Sequence, residues 1–269
     1  ITDVTEELDG STISAATDLT LTANWIVGSS LIAENGLLDV TATTIDGSEL
    51  LSKLGSIELS VNALNDSSLA AAIDIDVTGA DAALSTITAS SMTAATGDVT
   101  VDDFLTVNAL TVNAGGDALV GTVGSIGTII GGAYITAGAT TLNALGEIGG
   151  VTVQATGAAD LTSGADIVNS TVEGTTVVLD AAGNISNTAA EALTTADLTA
   201  VNAISGSTVT AGTDVTLTAL QIGNTSAAAL TGEITTTGNI FDSTLTALGD
   251  VTITNAYYVS NNMVVAGGA

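Results

Sequence analysis

A chain of 269 residues carries 29 Asp and Glu against one basic side chain, Lys53, for a formal net charge of −28, and it has no His, Cys or Pro. That balance excludes nucleic-acid binding through phosphate neutralisation and attachment to anionic lipid through a basic patch; a Ser/His/Asp triad, thiolate chemistry and an ordinary zinc centre lack their residues. Hydrophobic residues make up 46% and aromatics only 2%, so the core must be Val, Ile, Leu and Ala in thin regular layers, and the chain is too apolar for an acidic disordered tail.

The first ten residues, ITDVTEELDG, form a short segment able to add as a strand to a neighbour. Ser11-Thr12-Ile13-Ser14-Ala15 follows, then Asp18-Leu19-Thr20-Leu21-Thr22-Ala23. Apolar and polar residues alternate with period 2, as in half-buried strands, and the β-branched Thr, Val and Ile fit a pleated surface. Leu38-Asp39-Val40-Thr41 repeats the pattern. Ser48–Gly55 then reads as a short helix and Asn65–Ala72 as another helical turn, so 45–73 is expected either to leave the coil or to form rungs with long loops. Strand phrases resume at Ile75-Asp76-Val77-Thr78 and at Ser91-Met92-Thr93-Ala94 with Gly97-Asp98-Val99-Thr100-Val101. The uncharged stretch 118–146 is broken by Gly and Thr every few residues, so it is expected to form buried strands and turns and no membrane span. Echoes continue at Asp160, Asp197 and Glu233. Two close copies of the opening phrase, Ser207–Ala219 and Ser243–Thr254, complete the series, and in each the Asp lies seven residues after the Ser.

Steps of about 17–22 residues between acids (214 − 197 = 17, 98 − 76 = 22) are the signature of a solenoid. One short strand cannot bury its apolar face alone, whereas stacked rungs align like residues and pair their amides with the rungs on either side. The expectation is therefore an all-β chain, a single right-handed parallel β-helix over 1–269, with roughly 13 rungs at about 4.8 Å spacing. Absence of Pro fits, because internal strands need every ladder donor.

The phrases at 10–23, 206–219 and 243–254 resemble the repeats of filamentous-haemagglutinin-type adhesins, secreted bacterial proteins with β-helical shafts. Low-complexity Thr/Ala/Gly/Asp sequence is also similar to that of bacterial and archaeal surface-layer proteins and extracellular fibres. The resemblance implies a long, inert, secreted shaft. A Thr/Ser/Asn/Asp surface almost free of Lys agrees with an extracellular setting, and the opening Ile1 reads as a processed or excised chain.

Candidate sites are few. Asp74/Asp76 and Asp102/Asp103 are the carboxylate pairs a polysaccharide-cleaving enzyme would use, but one Trp, three Tyr and no Arg offer little to bind sugar, so no enzyme activity is expected. Asp98, Asp214 and Asp250 are candidate calcium ligands at corners; no cofactor is otherwise required. Thr-x-Thr pairs such as Thr20/Thr22, Thr216/Thr218 and Thr252/Thr254 would suit an ice-binding face, against the plainer reading that Thr is a common outward strand residue. The ends carry most of the scarce bulky apolar material. Ile1, Val4, Trp25, Tyr257, Tyr258, Met263, Val264 and Val265 are expected either to plug the core or to form subunit contacts. The leading functional expectation is a secreted structural protein that assembles end to end as a homopolymer. An adhesin shaft binding a receptor or glycan as a monomer is the alternative.

Overall fold

A computed structural model describes residues 2–122 and 125–268, with side chains from residue 6 onward. Two compact units divide the chain, Ile1–Asn143 and Ala144–Ala269. Both are built of parallel stacked coils, and no helix occurs among the described residues.

One coil in the first unit explains the rest. Leu19–Val27 lies in a long sheet with Leu19, Leu21, Ala23 and Ile26 turned inward. A corner at Gly28 reverses the chain, Ser30–Ala33 forms a strand of a second, shorter sheet, and residues 34–37 lead to Leu38, directly beside Leu19. Stacking is in register: Leu19, Leu38 and Ile57 form one inward column, Ile26, Ile45 and Leu64 another, and Leu31, Leu50 and Leu69 a third on the facing sheet. Each fully buried Leu or Ile of these columns stabilises the coil by about 1.5–3 kcal/mol relative to an exposed one.

The second unit repeats the scheme. Val177, Ala196, Val215 and Ile234 make one column, Leu179, Leu198 and Leu217 the next, and Val209, Ala227 and Leu245 line the short sheet.

Each coil turns one corner through a residue in the left-handed region. In the first unit these are Gly10, Gly28, Gly47, Asp66, Ala89, Ala109 and Gly131. In the second they are Gly150, Asn169, Asn187, Gly206, Asn224, Asp242 and Asn261. Steps between them run from 18 residues (Gly10 to Gly28) to 23 (Asp66 to Ala89) in the first unit, and are 18 or 19 in the second (187 − 169 and 206 − 187).

The helical departure expected at 45–73 is absent. That segment holds the strands Leu38–Asp46, Glu49–Ser52, Ile57–Asn65 and Ser68–Ala71. Leu50 and Ser52 point inward because the parallel strands on either side satisfy their backbone, and this tertiary pairing overrides the local helical preference. The real excursion lies at 80–85. There Leu84 and Ser85 both donate backbone N–H groups to the Asp81 carbonyl, at 3.0 and 2.8 Å. Further extra residues bulge at 103–105, between Val99–Asp102 and Thr106–Asn108.

The uncharged stretch contains the strands Ala118–Val120, Thr128–Ile130, Ala133–Thr136 and Thr140–Ala144. No helix of the described residues is long and apolar enough to cross a membrane.

Candidate functional site

Two polar ladders hold the corners. At the left-handed corner the next residue is usually Ser or Thr, and its amide points toward the adjoining coil. Ser11 N–H donates to Ser29 Oγ (3.1 Å), Ser29 N–H to Ser48 Oγ (3.1 Å), Ser48 N–H to Ser67 Oγ (3.1 Å) and Ser67 N–H to Ser90 Oγ (3.3 Å). Each receiving hydroxyl donates in turn to the carbonyl two residues before it, as Ser67 Oγ does to Asn65 O at 2.7 Å. The second unit does the same: Thr188 N–H donates to Ser207 Oγ and Thr225 N–H to Ser243 Oγ. At its last coil Ser243 N–H donates to Asn262 Oδ1 at 2.9 Å. A buried amide needs a partner, and a short hydroxyl that both accepts and donates supplies one without filling the core.

Aspartates form the other ladder. Asp74 Oδ1 accepts the amide of Asp98 (2.9 Å), Asp98 Oδ1 that of Asp117 (2.7 Å) and Asp117 Oδ1 that of Ala139 (2.6 Å). In the second unit Asp214 Oδ1 accepts the amide of Glu233 at 2.9 Å. The Gly-Asp dipeptide follows from this packing. A Cβ at Gly97 would fall on Asp74 Oδ1 and crowd the Ile73 carbonyl, so the residue before an amide held by an Asp Oδ1 has to be small, as Gly97, Gly116, Gly138 and Gly232 are.

The candidate calcium ligands therefore have a structural job. Asp98 and Asp214 each use Oδ1 to hold the following coil, and Asp250 Oδ1 lies where a Cβ at Gly268 would stand. Among the described residues no group of three or more His, Cys, Asp or Glu side chains is arranged to hold a metal ion. The carboxylate pairs are dispersed as well. Asp74 belongs to the ladder, Asp76 faces outward, and Asp102 Oδ1 accepts from Thr122 N–H and Ser125 O–H.

Outward Thr residues are interrupted by acids. In the first unit Thr20 is followed in register by Asp39, Glu58 and Asp76 before Thr100. In the second, Asp160 and Asp197 flank Val178, and the Thr-x-Thr motif runs in register only from Thr216/Thr218 through Thr235/Thr237 to Thr252/Thr254. Asp160 and Asp197 have carboxyls held above the usual range by partial burial, with Asp180 adding like-charge repulsion at Asp197.

The first and last described coils are less buried than those they pair with. Val259 and Val264 occupy columns whose previous members, Ile240 and Leu245, are fully buried, yet they are 53% and 45% exposed. Met263 and Val265 are exposed beside them, and no charged residue lies in 251–268. Tyr257 and Tyr258 form no plug. Both amides donate to Asn239 Oδ1, which leaves Tyr257 wholly exposed and Tyr258 largely so. In the first described coil of the first unit Leu8, Ile13 and Ala15 are only half-buried, while their successors Ile26, Leu31 and Ala33 are fully buried. Ile1 lies outside the described residues, and Val4 pairs by its backbone with Ala23. Trp25 stands one coil in from the end, on the outer flank of the long sheet between Glu7 and Thr44. Residues 257–265 thus lie together in the last described coil of the second unit, whereas Trp25 belongs to the first unit.

Sequence reasoning missed the serine ladder and the corner column. Their signal was legible: a Gly, Asn or Asp followed by Ser or Thr at 10–11, 28–29, 47–48 and 66–67, and again at 169–170, 187–188, 206–207, 224–225 and 242–243.

Parallel coils, in-register columns and corner ladders define the class: a β-solenoid repeat protein. Comparison of the chain with protein-family models, curated proteins and solved structures finds no match.

Proposed function

We propose that the chain is a structural protein of the extracellular surface, a solenoid shaft that joins end to end into a filament or array. One observation carries the reading: each coil stacks in register on the next through backbone ladders and like-on-like columns, as Leu19, Leu38 and Ile57 do, so a coil of a second copy can extend the stack by the same pairing. A solenoid edge with free backbone groups and an apolar core end is a template for another coil. Charge supports the same direction of growth. The sides carry most of the 29 acidic residues and repel one another, whereas 251–268 is uncharged. The resemblance of the phrases at 10–23, 206–219 and 243–254 to haemagglutinin-type repeats supports a secreted shaft.

Electron micrographs of the purified chain at high concentration test this. Filaments or end-joined particles are the expected result, and monodisperse single particles across the concentration range would refute it.

A further inference from the structure

The left-handed corner of the second unit presents exposed asparagines at Asn169, Asn187 and Asn224, with φ of 51°, 50° and 50°. The corner turns each of them outward, the next residue inward and the one after outward again. Ser170, Thr188 and Thr225 are buried, each with its hydroxyl donating to the carbonyl two residues back. Thr171, Ala189 and Ser226 face solvent at the start of their short-sheet strands. At two of the three corners the exposed pair is thus an Asn and a hydroxyl residue. Asn169-Ser170-Thr171 and Asn224-Thr225-Ser226 carry the N-x-Ser/Thr pattern of an N-linked sugar acceptor.

Resting on the extracellular reading above, we infer that Asn169 and Asn224 are acceptor sites for N-linked sugar. In the transfer, Nδ2 of the asparagine bonds to the anomeric carbon of a sugar carried on a lipid pyrophosphate. The bond from that carbon to the pyrophosphate oxygen breaks with its electron pair, and one amide proton leaves. A sugar chain is bulky and hydrophilic, so it needs an Asn that stands clear of the surface. The fold closes the two other matches to the pattern, Asn65-Asp66-Ser67 and Asn184-Ile185-Ser186. Ser67 is buried, and its hydroxyl both accepts the Ser48 amide and donates to the Asn65 carbonyl. Asn184 gives its backbone amide and Nδ2 to Asp166 Oδ1, at 2.6 and 3.0 Å. Asn169 and Asn224 stand three coils apart on one corner column, past Asn187 and Gly206. At about 4.8 Å per coil the two sugars would be roughly 14 Å apart, along one ridge of the second unit.

Secretion of the whole chain from a eukaryotic host, whose machinery supplies the lipid-linked sugar, tests the assignment by peptide mass mapping of the folded product. Sugar is expected on Asn169 and Asn224 and not on Asn65 or Asn184. T171A and S226A keep the corner asparagines, and each should remove one of the two sugars. Asn187 supplies the gain: it shares the corner, but Ala189 lacks a hydroxyl. A189T, flanked in register by Thr171 and Thr208, should add a third sugar. A parent chain secreted without sugar, sugar on Asn65 or Asn184, or no gain from A189T would overturn the inference. Assembly is judged apart from it, on sugar-free chain made in a bacterial host: filaments there, with no sugar on the secreted chain, would overturn the acceptor sites alone.

Discussion

The backbone amide of Ser48 donates to the hydroxyl of Ser67, one coil further on, over 3.1 Å, and both residues are almost wholly buried. The Ser67 hydroxyl cannot be removed without stranding that amide. Ser67→Ala is expected to destabilise the first unit by about 1–3 kcal/mol, the cost of a buried donor left unpaired. Urea unfolding followed by circular dichroism measures it, and an unchanged midpoint would mean water takes the place of the hydroxyl.

Ala89 and Ala109 hold φ of 49° and 53° at corners where other coils use Gly, Asn or Asp. A Cβ in that region costs about 1–2 kcal/mol. Ala89→Gly should raise stability by about 1 kcal/mol, an amount reduced by the entropy glycine gains on unfolding. Gly47→Ala is the converse. Nothing lies within 4 Å of a Cβ at Gly47, so its expected loss of about 1 kcal/mol reports backbone strain alone. Thermal melts of the two variants should shift in opposite directions.

Among the described residues two buried hydroxyls lack partners, Tyr134 Oη and Thr236 Oγ1. Tyr134 sits in the inward column after Val112, and its phenol is pushed far above its ordinary pKa by burial. Thr236 sits between Leu217 and Ile253. Tyr134→Phe and Thr236→Val should each stabilise by up to about 1–3 kcal/mol, since each removes an unsatisfied group at little change of shape. Chemical denaturation decides the sign; destabilisation would reveal a polar partner at that hydroxyl.

The Asp197 carboxyl is held above its ordinary pKa, first by partial burial and then by Asp180. The folded chain therefore binds this proton more tightly than the unfolded one does. The resulting stabilisation is complete below the unfolded carboxylate value, about 4, and fades as pH rises through the folded value. Asp197→Asn should flatten the loss of stability between about pH 4 and neutrality, with its largest gain over the parent at neutral pH. Unfolding midpoints across that range supply the comparison, and parallel profiles for the two proteins would remove the assignment.

Much of the architecture was legible because period-2 alternation, missing Pro and recurring acids all describe one coil. Asp18, Asp98, Asp214 and Asp250 mark real corners. Their role was not legible as such, since an Asp beside Gly reads equally as a cation ligand or as an acceptor for the next amide. Only stacking, which puts Asp98 Oδ1 on the amide of Asp117, separates the two. Ser48–Gly55 was misread because its composition suits a helix and nothing within the segment announces the flanking strands that claim its backbone. On hydrophobicity alone Tyr257 and Tyr258 read equally as a plug or as a subunit contact; Asn239 Oδ1, which accepts both amides, is eighteen residues back from Tyr257.

Most of the extra length in the first unit enters at one bend, between the two halves of the long sheet. From Ile57 to Leu64 that half-coil takes seven steps, whereas from Ile75 to Ile87 it takes twelve, yet Ile87 still pairs directly against Leu64. The bend thus works as a splice point: foreign residues grafted between Gly79 and Thr86 would hang from the surface as cargo while the columns on both sides keep their alignment.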